Sequence, residues 1–385
     1  MMAPSKNTAM SGPQAMGRGL EILDTTLREG EQCFGVFFSI ETKKRLALLL
    51  DEIGVDFIEV GHPAAAPSIR RAASEIARLD LRPRLVGHAR LDRDEIRLVR
   101  DLGLPWVGLF SGISELSLKR YGMSKQAVYD RAGEAVRYAK ELGLRVKFTC
   151  EDASRTDVYD VVAFYAYLHA LGVDRLSYAD TLGILTSRAV EQLHAGIEKR
   201  MPFSVLHFHF HNDFGRALDN AVAAAECGAR CIDASILGIG ERMGLAPLEK
   251  LLVLAKGGGR GYRPEKLAKA IELVAGSINY DHFAQRHFAH KSGIHINGVL
   301  KDPVGYEPVD PASRGGRRLL VLSKLIGRSG LRLIALRCGF ELDGEELDES
   351  LEQVKSDEFL ETADDREIAR YLTNTLKCLT MVRST

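Results

Sequence analysis

Short apolar runs alternate with amphipathic stretches along most of the chain, at the spacing of about 30 residues that a strand–helix–strand unit needs. The runs read as strands over Glu21–Leu27, Phe57–Gly61, Arg84–Gly87, Trp106–Phe110, Arg145–Thr149, Arg175–Tyr178, Val205–His211 and Cys231–Leu237. Between them apolar positions recur at helical spacing over Thr42–Ile53, Arg93–Leu102, Lys125–Leu142, Val158–Leu171, Arg188–Lys199 and Leu218–Cys227. Several of these stretches end in a glycine, Gly54 and Gly143 among them, which closes a helix and turns the chain into the next strand. With Pro247–Lys256 as the last helix, the pattern predicts an α/β fold, a (β/α)8 TIM barrel over residues 20–256. A doubly wound open sheet fits less well, because no dinucleotide-binding glycine fingerprint follows the first strand.

The flanks read differently. Residues 1–19 are rich in Ser, Pro, Gly, Ala and Met without an apolar signal core, and are expected to be a flexible lead-in. The glycine-rich tract Lys256–Gly261 lacks the ending of a phosphate loop and reads as a linker, followed by a helix over Pro264–Gly276. Residues 257–311 form a linker and subdomain carrying the histidine-rich tract His287–Gly298, and residues 312–385 a small, mainly helical C-terminal region with acidic faces.

Barrels of this kind work at the carboxyl ends of their strands. There the sequence puts Arg28 and Glu29 after strand one, Glu59 and His62 after two, and His88 and Arg90 after three. Lys147, Thr149 and Glu151 follow strand five, Asp180 and Thr181 six, and His209 and His211 seven. The two histidines, at i and i+2, share one face of a strand. With Glu29 they make a mixed oxygen and nitrogen ligand set for a divalent cation, leaving coordination positions open to substrate. Arg28 beside them is suited to hold charge developing on a substrate oxygen.

Bulk properties narrow the partners. Lysine plus arginine and aspartate plus glutamate number 52 each, so no basic footprint points to nucleic acid or an anionic membrane. No apolar run approaches the roughly 18 residues that span a bilayer. Six cysteines (33, 150, 227, 231, 338 and 378) make no disulfide framework and suit a reducing cytoplasm. Cys227 and Cys231 lack a second pair and read as core residues, not as metal ligands.

Four tracts, Leu23–Gln32, His209–Gly215, Leu237–Arg242 and His290–His295, resemble the signatures of the homocitrate and isopropylmalate synthases, of the DRE-TIM metallolyase superfamily. The resemblance runs over about residues 20–330, and Asp233–Arg242 leans toward the homocitrate synthases. It implies condensation of acetyl-CoA with a 2-oxo acid, followed by thioester hydrolysis. Glu29, His209 and His211 would hold one divalent metal ion (Mg, Mn or Zn), and Arg28 would stabilise the alkoxide. Thr181 would bind the 1-carboxylate, and His295, with Tyr306 and Glu151, would serve deprotonation of the acetyl methyl group. In this family that histidine comes from the neighbouring subunit, implying a homodimer with a swapped segment and shared sites.

Departures from the pattern bear on the substrate. His88 matches a histidine lining the distal end of the oxo acid pocket, but Lys147 stands where the family has a carboxylate-clamping arginine and Thr149 where it has serine. A lysine is a point charge, not a bidentate fork, so a distal anion is still expected. Besides 2-oxoglutarate, the alternatives are phosphonopyruvate, oxaloacetate and 2-oxoisovalerate. Gly108 and His207 replace two acidic positions that read feedback lysine, and the chain lacks the long regulatory domain of isopropylmalate synthases, so neither lysine nor leucine feedback is expected. A hydroxymethylglutaryl-CoA lyase would carry a cysteine in the loop Gly238–Gly244, which has none. A catalytically dead barrel is opposed by the intact set of polar residues.

Overall fold

The computed structural model describes residues 19–201, 205–254 and 261–383, with side chains described as far as residue 376. The expected lead-in over residues 1–18 and most of the glycine-rich tract, 256–260, lie outside the described residues. Eight parallel strands, β1 (Glu21–Asp24), β2 (Phe57–Gly61), β3 (Arg84–Ala89), β4 (Trp106–Gly112), β5 (Arg145–Glu151), β6 (Arg175–Asp180), β7 (Leu206–Phe210) and β8 (Cys231–Ala234), close into a barrel in chain order. β1 pairs with both β2 and β8, so no edge is left open. Around it run α1 (Ile40–Ile53), α2 (Pro67–Ala77), α3 (Arg93–Asp101), α4 (Glu115–Tyr121), α5 (Lys125–Glu141), α6 (Val158–Ala170), α7 (Ser187–Ile197), α8 (Ala217–Glu226) and α9 (Leu248–Leu254). The expected helices are present, together with α2, which has Pro67 in its first turn, and α4, which Ser114 caps.

Alternate strand residues point inward. Leu23, Phe57, Val86 and Cys231 plug the amino end of the barrel. Two residues further along, the same faces carry Glu59, His88, Gly108 and Asp233, so the interior changes from apolar to charged within one layer. β1 is shorter than its apolar run because the Asp24 carboxylate accepts hydrogen bonds from Thr26 N and Thr26 Oγ1, both at 2.9 Å, and turns the chain. Arg28 and Glu29 therefore sit in a turn beyond the strand. β8 also stops early, and Leu237 adopts a left-handed φ of 58°.

The barrel layer extends past residue 256. Leu267, Ala270 and Val274 of α10 (Leu267–Ala275) belong to the same core as the barrel helices. After α11 (Tyr280–Phe283) and the short strand β9 (Ala289–His290) comes α12 (Gly293–Lys301), whose Ile296 packs with Leu322, Leu331, Ile334, Leu347 and Leu372 in a second core. The remaining elements are β10 (Leu319–Leu320), β11 (Leu322–Ser323), α13 (Arg328–Arg337), α14 (Gly344–Ser356), β12 (Glu361–Thr362) and α15 (Asp365–Arg383). The histidine segment and the C-terminal region thus share one core.

Within the single chain this segment lies against its own barrel. Buried ion pairs make that contact. Glu31 sits between Lys43 Nζ at 2.6 Å and Lys324 Nζ at 2.9 Å. Lys291 Nζ donates to the carbonyl of Val36 at 2.8 Å and to Glu361 at 2.6 Å. Burying these groups unpaired would be costly, which ties the second core to the loop after Glu29.

Candidate active site

The turn after β1 and the ends of β7 and β8 build the centre. Glu29, His209 and His211 offer one donor atom each, all within 4.8 Å of one another, and all three residues are buried. Asp233 Oδ2 lies 3.2 Å from His209 Nδ1, which leaves the opposite ring nitrogen as the free donor, as metal-binding histidines are commonly held. His211 Nδ1 is buried without a hydrogen-bond partner. Burial, with Arg242 and His209 nearby, pushes the His211 pKa well below the usual range, so the ring is neutral and keeps its lone pair. Arg28 donates from Nε to Glu59 at 2.8 Å and pairs also with Glu29. Arg28 and Lys147 face Glu29, Glu59 and Asp233, a buried excess of negative charge. Donor chemistry, the orphaned nitrogen and the charge balance all fit a divalent cation.

Lys147 has partners that the sequence did not disclose. Its Nζ lies 2.8 Å from Asp233 and 3.1 Å from Glu59. Burial opposes its charge, but Asp233 and Glu59 outweigh burial and hold its pKa above the ordinary lysine value. An ammonium has three donors, so one remains for a substrate anion. Thr149 and Glu151 follow on the same strand face. His88 stacks on Phe110 with ring centroids 4.7 Å apart, and burial, with Arg28 close by, depresses its pKa well below the usual value. The adjacent Gly108 leaves room, since a Cβ there would lie 3.3 Å from His88. Thr181 Oγ1 accepts from Asp152 N at 2.8 Å, which frees its own proton for donation.

Above this centre α12 and the residues after it close the barrel mouth. Tyr306 is fully buried and its hydroxyl donates to Glu151. His295 stacks on Tyr306 with centroids 4.1 Å apart, and its Nδ1 lies 3.3 Å from Glu241. Arg120 Nη2 and the Tyr121 hydroxyl also reach Glu151, at 2.6 and 2.9 Å. Burial would raise the Glu151 pKa, but Arg120, Tyr306 and Tyr121 outweigh it and hold the carboxyl ionised. Burial and Glu151 push the Tyr306 phenol well above its usual value, so it remains a proton donor.

The structure thus brings Arg28, Glu29, His209, His211, Glu151, His295 and Tyr306 around one barrel mouth, with Lys147, Thr149, His88 and Thr181 on the strands beneath. Asp233 and Glu241 are the carboxylates that sequence reasoning passed over, along with Arg120 and Tyr121, while Glu59 was noted at a strand end but given no role. Asp233 and Glu241 lie inside the family-like tract, so a position-by-position reading could have found them; for Arg120 and Tyr121 there was no signal.

The family model described as HMGL-like matches residues 19–274, and the one described as homocitrate synthase post-HMGL domain-like matches residues 283–361. A homocitrate synthase of Saccharolobus islandicus is 35% identical over 348 residues, 87% of this chain and 76% of its own length. The chain belongs to the homocitrate synthase family. Another member, from Sulfurisphaera tokodaii, is 34% identical over 91% of this chain and 80% of its own. In fold the chain is similar to the hydroxymethylglutaryl-CoA lyase of Pseudomonas aeruginosa, with a TM-score of 0.63 at 22% identity over 71% of this chain and 97% of that one. It is likewise similar to the HMG-CoA lyase of Bacillus subtilis, with a TM-score of 0.62 at 20% identity over 68% and 95%. The first family match ends within α10, in keeping with the extent of the barrel core. Among the described residues no helix is long and apolar enough to cross a membrane.

Proposed function

We propose that this protein condenses acetyl-CoA with a 2-oxo acid bearing a distal anionic group, with 2-oxoglutarate and homocitrate as the first substrate and product to test. The observation that carries the reading is the convergence of Arg28, Glu29, His209 and His211 with His295, Tyr306 and Glu151 in a chain of this family. Held by Glu29, His209 and His211, a divalent ion (Mg, Mn or Zn) would supply Lewis-acid polarisation of the keto group.

The chain's own residues account for the remaining steps. Thr181 donates its hydroxyl proton to the 1-carboxylate, and the third Nζ–H of Lys147, with Thr149 and His88, meets the distal anion. His295, with Nδ1 turned to Glu241, takes the acetyl methyl proton on its other nitrogen, while Tyr306 and Glu151 hold the imidazole in place. The methyl carbon bonds to the keto carbon, the carbonyl electron pair moves to oxygen, and Arg28 offsets that charge until a proton is returned. Water then cleaves the thioester, releasing the thiol of coenzyme A and the new carboxylate. The protein is read as a cytoplasmic acyltransferase that converts acyl to alkyl on transfer, acting as a homodimer with shared active sites. Mass-spectrometric detection of homocitrate from acetyl-CoA and 2-oxoglutarate tests the reading; failure to form it, beside rapid product from another oxo acid, would move the substrate assignment.

A further inference from the structure

A cleft of about 560 Å³ opens from the site to the surface and is lined at its inner end by Arg28, Tyr121 and Glu151. Seven arginines and lysines line it against three glutamates. The glutamates are already spoken for: Glu31 by Lys43 and Lys324, Glu151 by Arg120, and Glu95 by His62 and Arg90. The excess positive charge gathers at the outer mouth, where three elements each supply a cation. Arg90, after β3, exposes 62% of its side chain while its inner edge pairs with Glu95. Arg131 of α5 is exposed and bonds only the carbonyl of Leu91 among the contacts described for its side chain. Lys355 comes from α14 in the second core and is half-buried; burial, with Arg90 and Arg70, depresses its pKa against the opposing pull of Glu95. With Glu95 the carboxylate that pairs with Arg90, the three cations Arg90, Arg131 and Lys355 still leave two positive charges unbalanced, which an incoming anion would offset.

We propose that this mouth, formed by Arg90, Arg131 and Lys355, is the subsite for the phosphate groups of coenzyme A, so that the C-terminal region supplies a binding residue for the second substrate. The proposal rests on acetyl-CoA being that substrate and adds which residues of this chain hold its nucleotide end. Phosphate carries up to about two charges and three acceptor oxygens, which matches a cluster of guanidinium and ammonium groups. The thioester end then lies inward, toward His295 and Arg28, while the nucleotide end remains at the surface.

The test compares acetyl-CoA, acetyl-dephospho-CoA and acetyl-pantetheine in the wild type and in Arg131→Ala and Lys355→Ala. Each substitution should raise KM for acetyl-CoA about tenfold, equivalent to about 1.4 kcal/mol, without raising KM for the oxo acid. With acetyl-pantetheine, which has neither the diphosphate nor the ribose phosphate, wild type and variants should have the same kcat/KM. Equal loss on all three thioesters, or unchanged KM for acetyl-CoA in both variants, would overturn the subsite. Calorimetric titration with coenzyme A needs no turnover and separates the two claims. Tight binding that weakens about tenfold in the variants upholds the subsite even if no oxo acid reacts, and binding of equal strength in all three proteins refutes it.

Discussion

Lys147→Met removes the ammonium from the barrel interior while keeping a chain of similar length, so what it measures is charge and not a cavity. Nζ lies 2.8 Å from Asp233 and 3.1 Å from Glu59, and the three side chains are exposed by 3%, 0% and 1%. At an effective dielectric constant of about 20 each contact is worth about 5–6 kcal/mol before desolvation is counted. The net cost of removing one partner from a buried ionic cluster is smaller, about 3–5 kcal/mol, because the lysine's own desolvation is recovered. The variant should therefore lose several degrees of thermal midpoint as well as affinity for the charged oxo acid. In the wild type Lys147 helps to hold both carboxyl groups below their usual pKa, despite burial. Groups of that kind stabilise the fold above their unfolded pKa, and the contribution fades as pH falls toward the folded value. The gap between wild type and variant, followed by urea denaturation of metal-free protein, should narrow as the solution is made acidic. A variant as stable as the wild type at neutral pH, with only its KM for oxo acid raised, would refute the ionic-cluster reasoning and make Lys147 a substrate clamp alone.

Asp233→Asn weakens the hold on His209 Nδ1 and should lower metal affinity about 10–100-fold, read by competition with a chelating dye. His295→Ala should retain metal and oxo acid binding yet lose about 10²–10⁴-fold in kcat; unaltered turnover would remove it from proton transfer. Mixing that variant with Arg28→Ala should restore part of the activity, since each mixed dimer with shared sites keeps one intact site; no recovery after verified subunit exchange would place each site within one chain. Glu31, with a pKa lowered to about 2 as Lys324 and Lys43 outweigh burial, stabilises the docking of the second core above pH 4.5. That contribution should fade as pH falls toward 2, and Glu31→Gln should reduce protection of α12 in hydrogen exchange already at neutral pH.

The barrel was legible because its period survives in the sequence: each strand is a short apolar run and each helix an amphipathic stripe. Strand ends were less so. β1 and β8 are cut short by a side-chain turn at Asp24 and a left-handed Leu237, features of hydrogen bonding and not of hydrophobic pattern. The metal set could be argued from residue types, since Glu29, His209 and His211 lie at strand ends. The role of Lys147 could not be completed, because its carboxylate partners lie 86 and 88 residues away along the chain and meet it only once the barrel closes. The same holds for Glu151, which collects Arg120, Tyr121 and Tyr306 from two separate segments. For a related reason the sequence could not tell that Ile296 joins the second core, through contacts that no local periodicity announces.

The most direct measurement is thiol release from acetyl-CoA by metal-loaded protein, with 2-oxoglutarate and 2-oxoisovalerate compared as second substrates. The account predicts release that depends on the oxo acid and stops on chelation, with kcat/KM higher for 2-oxoglutarate. Faster turnover of the uncharged, branched acid, or release that is indifferent to chelation, would contradict it.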